Sequence, residues 1–501
     1  MKSREVQSRL KVMLVGEAAR EHAIAEAICR SSFEPKLYAA MRLRNPGIIS
    51  LCKRTGGEYV TGKTTDPEFI VESAKRFHVD FVFVGPEEPL FHGVADALEE
   101  AGIPCIGARR APAELEMSKA FMRRLMWKHG IPGRLRFKAF KEVEDAVAYI
   151  REYAESVALK PARQVGGKGV KVIADLQAYL SREKAHVKEQ HAKIISEEHM
   201  KGYTDIEDRI LIEEKVEGPE YTLQAFTDGR TVKPFPLVQD NKNAFEMDIG
   251  PETGGMGSIA GRGMLLPFIT LQEYRRSAEI VKACVRAVET ETGYKYKGVV
   301  SGQMMLTAAW GPTIIEFYCR FGDPEAVNVL PILKSDMVEL CQAIIDERLN
   351  KVKLEFEDVA TVVKGIAPKG YPDRRDLAKG HPVLVDEEAV KRKGGRVYYA
   401  STDLQPDGTI LTGGSRLVEI FAKGKSIPEA GRKAEACIPF VRLADGWGVF
   451  YRSDIGSEIL LKRRIEQAEL VRGVYKYRFR KGLVGKTIEW IPGRGKIVLE
   501  A

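Results

Sequence analysis

The sequence predicts a multidomain protein of the α/β and α+β classes, with a parallel-sheet domain first and a small α+β domain near the C-terminus. Three observations predict this arrangement. Short apolar runs alternate with helical patterns in residues 11–110, glycine-dense loops interrupt the central region, and short β-like runs with turn dipeptides occupy residues 349–456. The 501 residues have room for about three to five domains at roughly 100 to 200 residues each.

The beginning of the chain is predicted to form βαβ units around a parallel sheet. An apolar run at 12–15 ends in a glycine, and a helical pattern of apolar residues follows it. Two further apolar runs lie at 37–40 and 81–84, and the second also ends in a glycine. Short runs of this kind, separated by helical patterns and closed by turns, are typical of parallel strands.

The loops after two of these strands are the first candidate ligand site. Ligands of open parallel sheets collect at the carboxyl ends of the strands. We therefore expect residues 16–22, after the first run, and residues 85–89, after the third run, to lie on one rim of the sheet.

The composition excludes several classes of protein. Hydrophobic residues make up 44% and charged residues 30% of the chain, as in folded globular proteins. No apolar run approaches the ~20 residues of a membrane helix, and the first ten residues lack the apolar core of a secretory signal. Seven cysteines are scattered without a CxxC pair, which favours reduced thiols over disulfides or a zinc site. We therefore expect a cytoplasmic enzyme without a membrane partner.

Most of the net charge of +8 lies in a C-terminal extension. Residues 457–501 contain eleven Lys and Arg against five Asp and Glu, and they also contain Tyr475, Tyr477, Phe479 and Trp490. Basic residues interleaved with aromatic ones can bind nucleic acid, but charged chain ends are more often solvated. The rest of the chain is nearly neutral, so we do not expect nucleic acid as a partner and interpret the extension as a solvated appendage.

Two central segments could bind a nucleotide. A loop of glycines and lysine at 166–169 follows an apolar run that ends at Lys160. Glycines let backbone amides approach phosphate and lysines add positive charge, although the loop lacks the Walker A spacing and could be a simple hairpin turn. Further along the chain an apolar strand runs into Glu213 and Glu214, where the backbone could hydrogen-bond an adenine ring. A solvated acidic turn would explain these glutamates equally well.

Two later segments could hold a metal ion and a small substrate. Glu316 ends an apolar strand, a position suited to holding Mg²⁺ against nucleotide phosphates. Arg320 follows, and its guanidinium matches the geometry of a phosphoryl group, although it could instead form a structural ion pair with Asp323. The glycine-dense loop at 250–257 would allow close backbone approach to a small ligand, or it could be only a mobile loop.

In the chain order Lys160, GGKG (166–169), IEE (212–214), TGGMG (253–257) and IEF (315–317), these segments resemble those of ATP-grasp enzymes. Such enzymes hold ATP between two α+β lobes and activate a carboxylate for attack by an amine. Over about residues 11–456, the resemblance extends to phosphoribosylamine–glycine ligases, also called glycinamide ribonucleotide synthetases. The motifs that carry it are REHAIAEA (20–27), VGPEEPL (84–90), SKAFM (118–122), TGGMG (253–257), RFGDPEA (320–326) and RSDIG (452–456). The segments YKGVVSGQMMLT (296–307) and NPGI (45–48) are similar to those of archaeal members.

The resemblance implies an N-terminal Rossmann-like domain at 11–110, an ATP-grasp double lobe at 111–340, a C-terminal α+β domain at 349–456 and a basic extension at 457–501. It implies that ATP, glycine and 5-phosphoribosylamine give glycinamide ribonucleotide, ADP and phosphate through a glycyl phosphate, in de novo purine biosynthesis. ATP would be the co-substrate and Mg²⁺ or Mn²⁺ the cofactor of a cytoplasmic monomer or homodimer. Deletion of the extension is expected to leave the reaction largely unchanged.

The resemblance also implies roles for individual residues. Arg320 and Asp323 would line the reaction centre as catalytic residues, while Gln303 and Glu316 would bind the metal ion. Lysines would contact the phosphates of ATP, residues 213–216 would form the adenine hinge, and Glu220 would lie by the ribose. The complete set expected to bind ATP is Lys119, Lys160, Gly166, Gly167, Lys168, Gly169, Glu213, Glu214, Val216 and Glu220. The set expected to bind glycine and phosphoribosylamine is Gly16, Arg20, Glu21, His22, Pro86, Glu87, Gln239, Asp240, Lys242, Thr253, Gly254, Gly255, Met256 and Gly257.

Four positions depart from the family pattern. Tyr318 stands where a metal-binding asparagine is expected, and a phenol is a poor ligand of Mg²⁺ at neutral pH. Glu17 and Glu252 place carboxylates in loops expected to contact substrates, and residues 160–170 lack the family's aspartate. Three alternatives remain open: an active ligase of this family, a diverged ATP-grasp ligase that joins another amine to another carboxylate, and a non-catalytic nucleotide-binding relative.

Overall fold

The computed structural model describes residues 9–141, 157–161, 171–173, 210–491 and 495–499. The predicted phosphate loop at 166–169 lies outside the described residues. By its internal contacts the chain divides into two compact units. The first unit takes the residues up to 113, 220–302 and 318–466, and the second takes 114–219, 303–317 and the residues from 467 onwards.

Strands and helices alternate through the N-terminal part of the chain, as the sequence predicts. In chain order these elements are β1 (Lys11–Val15), α1 (Ala19–Cys29), β2 (Lys36–Met41), α2 (Pro46–Thr55), β3 (Tyr59–Thr61), α3 (Pro67–Phe77), β4 (Phe81–Val84), α4 (Glu87–Phe91), α5 (Val94–Glu100), β5 (Cys105–Ile106), α6 (Arg110–Met117) and α7 (Lys119–Lys128).

Strands dominate the central part of the chain. They are β6 (Phe137–Phe140), β7 (Val157–Pro161), β8 (Lys171–Ile173), β9 (Ile210–Glu214), β10 (Glu220–Asp228), β11 (Val232–Pro234), β12 (Val238–Asp240), β13 (Asn243–Phe245), β14 (Ile249–Glu252) and β15 (Gly257–Ala260), followed by α8 (Leu271–Thr292), β16 (Lys297–Thr307) and β17 (Gly311–Tyr318).

The C-terminal part of the chain mixes short strands with helices. Its elements are α9 (Glu325–Val329), α10 (Met337–Ile345), β18 (Ala360–Pro368), β19 (Lys379–Val385), α11 (Glu387–Arg392), β20 (Gly395–Tyr399), β21 (Thr402–Leu404), β22 (Ile410–Gly413), β23 (Val418–Gly424), α12 (Ile427–Glu435), β24 (Val441–Leu443), β25 (Val449–Phe450), α13 (Glu458–Arg480), β26 (Thr487–Ile491) and β27 (Gly495–Leu499). Among the helices of the described residues, none combines the length and the apolar character needed to span a membrane.

The first unit contains the predicted parallel sheet. Its five strands lie in the order β3-β2-β1-β4-β5, and every pairing is parallel. β4 is buried along its whole length because a parallel sheet of this kind is covered on both faces. β1 and β4 are neighbours, and the amide of Gly85 donates to the carbonyl of Val15 at 3.0 Å. The prediction that the loops after these strands share one rim is therefore confirmed.

A second sheet of the first unit joins the central and the C-terminal parts of the chain. β10, β12, β15, β18, β23 and β20 lie in this order, and each neighbouring pair is antiparallel. Gly257 at the start of β15 lies opposite Lys364 of β18. The glycine-dense loop before β15 is therefore held next to β18, in the C-terminal part of the chain. Four other strands of this part form a smaller, separate sheet in the order β21-β22-β19-β24.

The second unit is built on an antiparallel sheet in the order β6-β9-β7-β8. β9 is a central strand, since it pairs with β6 on one side and with β7 on the other. Lys160 of β7 lies opposite Leu211 of β9. The two strands that carry Lys160 and the paired glutamates 213 and 214 are thus neighbours in one sheet.

Asn45 joins the parallel sheet of the first unit to its C-terminal segment. Its Oδ1 accepts hydrogen bonds from the amides of Gly47 and Ile48, and so caps α2. Its Nδ2 donates to the carbonyls of Glu17 and Tyr399, each at 2.8 Å. The side chain is fully buried. One amide therefore satisfies backbone groups from both ends of the chain.

We predict that Asn45→Ala lowers the free energy of unfolding by about 2 kcal/mol or more, because the cap is lost and two buried carbonyls lose a donor. Asp66→Ala is the matched control, since Asp66 caps α3 ahead of a proline in the same way but from a half-buried position. The control should lose only about 1 kcal/mol. Urea denaturation measures both values, and equal losses would contradict the bridging role of Asn45.

Candidate active site

Lys119 and Glu316 form an ion pair in the second unit. Lys119 is the first residue of α7, whose N-terminus is capped by Ser118. Its Nζ lies 3.4 Å from Oε2 of Glu316, near the end of β17, and both side chains are largely shielded from solvent. The structure thus brings together a predicted phosphate-binding lysine and a predicted metal ligand.

The carboxylate of Glu213 is hydrogen-bonded to an arginine of the second unit. It accepts a hydrogen bond from Nε of Arg123, a fully buried arginine on α7. Arg123 also donates to the carbonyls of Ile314 and Ile315, each at 2.9 Å. This arginine ties α7 to β9 and β17, so a purine at the predicted hinge would be bound by the backbone of the segment and not by the Glu213 side chain.

Glu214, the last residue of β9, is held by hydrogen bonds on both carboxylate oxygens. Oε1 accepts from the amide of Arg136 at 3.0 Å and from the indole of Trp310 at 2.9 Å. Oε2 accepts from Nε and Nη2 of Arg136 at 3.3 and 3.2 Å. The end of β9 is therefore fixed two residues before Val216, which is half-buried.

Glu316 and Gln303 have the donor chemistry for a divalent cation. Gln303 is fully buried on β16, and its amide oxygen, like the carboxylate of Glu316, is a hard ligand that suits Mg²⁺ or Mn²⁺. Within the described ranges, no three His, Cys, Asp or Glu side chains are grouped closely enough to hold a metal by themselves. Nucleotide-bound Mg²⁺ is usually held by one or two carboxylates and by phosphate oxygens. The donor set fits such a metal ion.

A network of charged side chains joins the rim of the parallel sheet to the RFGDPEA segment in the first unit. Arg20 is ion-paired with Glu21 and donates from Nη1 to the carbonyl of Phe321 at 3.2 Å. Arg320 donates from Nε to Glu87 at 3.0 Å, and Nη1 of Arg20 lies 3.9 Å from the same carboxylate oxygen. Four residues that the resemblance assigns to substrate or catalysis, from three segments of the chain, therefore belong to one network.

Burial and the two arginines set the charge of this network. Burial acts to raise the pKa of Glu87, but Arg320 and Arg20 outweigh it and hold that pKa below its usual value. Burial raises the pKa of Glu21 in spite of Arg20. Gly16 makes room for these groups, because its φ is +121° and an added Cβ would lie 2.6 Å from Cγ of Glu21 and 2.8 Å from Pro86.

Asp323 pairs with Arg416, an arginine that the sequence analysis did not identify. Nη2 of Arg416 donates to Oδ1 of Asp323 at 3.0 Å, and Nη1 donates to the carbonyl of Gly255 at 2.7 Å. Burial acts to raise the pKa of Asp323, but Arg416 and a hydrogen bond with Glu419 bring it to about 2. Asp323 is therefore a carboxylate at neutral pH. Burial and the charge of Asp323 raise the pKa of Glu419 well above its usual value.

The TGGMG loop is folded onto the segment that contains Asp323. The amide and hydroxyl of Thr253 both donate to the carbonyl of Lys242, at 2.8 and 2.6 Å. Gly255 has a φ of +109°, and a Cβ there would lie 2.7 Å from Pro324. Only glycine allows this approach. The amide of Gly254 donates to the hydroxyl of Tyr371 at 2.9 Å. The last two residues of the loop, Met256 and Gly257, are buried.

A further polar group of the first unit lies at the start of β10. Nζ of Lys242 lies 3.2 Å from Oε2 of Glu220, and Nε2 of Gln239 donates to the carbonyl of Glu220 at 2.8 Å. Asp240 follows Gln239 on β12 and is half-buried. Three predicted substrate residues and the predicted ribose contact are therefore neighbours.

His22 takes part in packing within the first unit. Its Nδ1 accepts a hydrogen bond from the amide of Tyr399 at 3.0 Å, and its ring packs against Tyr398. An added Cβ at Gly47 would overlap the imidazole ring. Burial lowers the pKa of His22 to about 4, so the ring is neutral at pH 7. These contacts join α1 to β20.

Three family models match consecutive parts of the chain. The N domain of phosphoribosylglycinamide synthetase matches residues 10–116, the ATP-grasp (A) domain matches 117–326, and the C domain matches 361–458. The chain belongs to the phosphoribosylglycinamide synthetase family. The family and the three-part architecture implied by the sequence motifs are thereby confirmed.

Relatives of the synthetase family match the chain along most of its length. The phosphoribosylamine–glycine ligase of Methanopyrus kandleri is 46% identical over 465 residues, which cover 93% of this chain and 100% of that protein. The one of Methanocella arvoryzae is 41% identical with the same coverage. A crystal structure of phosphoribosylamine–glycine ligase from Thermotoga maritima is 26% identical, with a TM-score of 0.69, and covers 89% of this chain and 100% of that chain.

Two departures from the synthetase pattern have local partners. The guanidinium of Arg320 lies 4.3 Å from the ring centroid of Tyr318, within the range of a cation–π contact. The carboxylate of Glu17 accepts hydrogen bonds from the amide and Nε of Arg42, each at 3.2 Å. The carboxylate of Glu17 is thus paired with an arginine, and the ring of Tyr318 faces the guanidinium of another arginine.

The buried carboxyl of Glu325 is expected to make the stability of the folded protein depend on pH. Thr222 donates to its Oε1 at 3.1 Å, and burial together with the charge of Asp240 raises its pKa to about 7. The folded protein therefore binds this proton more tightly than the unfolded chain does. The stability that results is present in acid and is lost as the pH rises from the usual glutamate value towards 7.

We predict that Glu325→Gln removes part of this loss, because the amide stays neutral at every pH. The melting temperature of the variant should fall less than that of the wild type between pH 5 and pH 8. Glu72→Gln changes an exposed glutamate on α3 and is the control. Parallel melting profiles for the wild type and Glu325→Gln would contradict the assignment.

Proposed function

We propose that this protein ligates glycine to 5-phosphoribosylamine at the expense of ATP, giving glycinamide ribonucleotide, ADP and phosphate in de novo purine biosynthesis. The observation that carries the proposal is membership of the family, whose models match residues 10–326 and 361–458, together with relatives of this name that are matched over their full length. The ion pair of Lys119 with Glu316 and the charged network around Arg320 support it.

We assign the purine, the phosphates and the metal ion of the nucleotide complex to residues of the second unit. Lys119 would neutralise a phosphate, and the backbone at 213–216 would bind the purine. Glu316 and Gln303 would hold Mg²⁺ or Mn²⁺, which supplies charge neutralisation of the phosphates when it is bound. Further proposed contacts to phosphate and ribose are Lys160, Gly166, Gly167, Lys168, Gly169 and Glu220.

We assign glycine and phosphoribosylamine to residues of the first unit. Arg320 is partly buried and suited to a phosphate or carboxylate. Asp323, with a pKa of about 2, is a poor proton acceptor but a permanent negative charge for an ammonium group. The rim residues at 16–22, the pair 86–87, and the group formed by Gln239, Asp240, Lys242 and the TGGMG loop would complete the substrate contacts.

The reaction needs no nucleophilic side chain. A carboxylate oxygen of glycine attacks the γ-phosphorus of ATP, the bond to the β,γ-bridging oxygen breaks, and ADP leaves. The amine nitrogen of phosphoribosylamine then attacks the acyl carbon, phosphate leaves with the former carboxylate oxygen, and the nitrogen releases a proton to phosphate or solvent. Arg320 and the other fixed charges act by positioning and by stabilising the charge that moves during each step.

The deciding experiment measures ADP release with Mg²⁺-ATP and glycine, with and without freshly generated phosphoribosylamine. We expect release that requires both substrates, together with formation of glycinamide ribonucleotide. A folded protein that binds ATP but stays silent would overturn the proposal. Release with another amine and carboxylate would then identify a diverged ligase, whereas binding without any turnover would identify a non-catalytic relative.

We predict that Glu316→Ala abolishes turnover while the protein stays folded, because the proposed metal ligand is lost. Glu347→Ala is the control, since Glu347 is ion-paired with Lys295 and Lys297 in the first unit and has no proposed role. ADP release, circular dichroism and the Mg²⁺ dependence of ATP affinity are measured for both variants. ADP release at the wild-type rate from folded Glu316→Ala would refute the metal assignment.

We predict that Tyr318→Phe keeps the activity and that Tyr318→Ala lowers kcat/KM by about 2- to 30-fold, the equivalent of ~0.5–2 kcal/mol for a cation–π contact. The ring, and not the hydroxyl, stacks on Arg320. Tyr294→Ala removes a comparable contact, with Arg109 at 4.9 Å, and should leave the kinetics unchanged. Equal losses in the phenylalanine and alanine variants would show that the hydroxyl matters instead.

A further inference from the structure

Part of the C-terminal extension packs on the turn between β16 and β17, within the second unit. After α13 the chain turns, and the amide of Gly485 donates to the carbonyl of Ala309 at 3.0 Å. On α13, Tyr475 lies against Gly311, where an added Cβ would be 3.1 Å from the tyrosine ring. The interpretation of the extension as a solvated appendage is therefore wrong for this segment.

Trp310 connects this packing to the end of β9. Its indole N–H donates to Oε1 of Glu214 at 2.9 Å, and the residue is only 6% exposed. The turn of the extension covers the ring so closely that an added Cβ at Gly485 would overlap it. The turn of the extension therefore covers the same indole that donates one of the hydrogen bonds to Glu214.

Arg478 adds an electrostatic link between the same elements. It donates from Nη2 to the carbonyls of Leu483 and Lys486, which shapes the turn that covers Trp310. Burial lowers the pKa of Arg478, while the charge of Glu214 acts to raise it. The extension thus brings a positive charge that interacts with Glu214, a residue of the proposed purine hinge at 213–216.

We propose that residues 475–486 of the extension position the nucleotide by fixing Trp310 and Glu214, and through them the backbone at 214–216. This inference rests on the proposed assignment of the purine to that backbone. Glu214 is itself part of the hinge, and Lys215 and Val216 follow it without an intervening turn. A shift of the Glu214 side chain is therefore transmitted directly to the backbone atoms that would bind the purine. The match to the family models ends at residue 458, so residues 475–486 lie outside the part of the chain that these models describe.

Two glycines of the same turn provide a matched test. Gly485 and Gly482 have φ values of +71° and +65°, so alanine imposes a similar backbone strain at each position. A Cβ at Gly482 would meet no atom within 4 Å, whereas one at Gly485 would displace Trp310. Only Gly485→Ala changes the contact that the proposal depends on.

The experiment measures the affinity of the full-length protein for a non-hydrolysable ATP analogue by calorimetry, and the KM values for ATP and glycine. We expect Gly485→Ala to raise Kd for the analogue and KM for ATP about tenfold, while KM for glycine stays unchanged. Gly482→Ala should bind the analogue as the wild type does. Equal weakening in both variants, or wild-type affinity in Gly485→Ala, would overturn the proposal.

Trp310→Phe is the second variant, and it decides the question if Gly485→Ala does not fold. It keeps an aromatic ring under the turn but removes the donor to Glu214, so we expect weaker nucleotide binding without a change in the KM for glycine. Wild-type affinity in this variant would contradict the inference. The binding measurement does not need turnover, so a wild type that binds the analogue but fails to make glycinamide ribonucleotide refutes the proposed reaction and not the role of the extension.

Discussion

The candidate site of the first unit depends on the contacts that the buried side chain of Arg416 makes. It comes from the C-terminal segment, yet it binds the TGGMG loop through Gly255 and the RFGDPEA segment through Asp323. A buried charge whose partner is removed costs about 3–5 kcal/mol, so such an ion pair is kept only where both groups are held in place. The TGGMG loop and the RFGDPEA segment are therefore both held by one side chain of the C-terminal part of the chain.

The buried carboxyl groups of the site fall into two sets, whose pKa values are shifted in opposite directions. Arginines hold the pKa values of Glu87 and Asp323 low, whereas burial raises those of Glu21, Glu325 and Glu419. Fixed ionised groups cost little reorganisation during a reaction, which is what transfer of a phosphoryl group by positioning requires. The unusual Tyr318 belongs to this arrangement, because its ring lies against the arginine proposed for catalysis.

Much of the fold and part of the site could be predicted from the sequence because the signals are local. Apolar runs that end in glycine predicted β1, β4 and their common rim, and short motifs predicted the family. The same local patterns led to the wrong interpretation of the extension, since a basic, aromatic segment has the same composition whether it is solvated or packed. The turn glycines 482 and 485 are alike in sequence, and only one of them contacts Trp310.

By itself the sequence determined the order of the domains, the parallel sheet and the set of candidate residues, because these depend on periodicity and on motifs within a few residues. The tertiary structure alone decided the partners: Arg123 for Glu213, Arg416 for Asp323 and Trp310 for Glu214. Each pair joins residues about 90 positions apart. Which of several arginines reaches a buried carboxylate depends on how sheets and helices pack, and no local pattern in the chain records that choice.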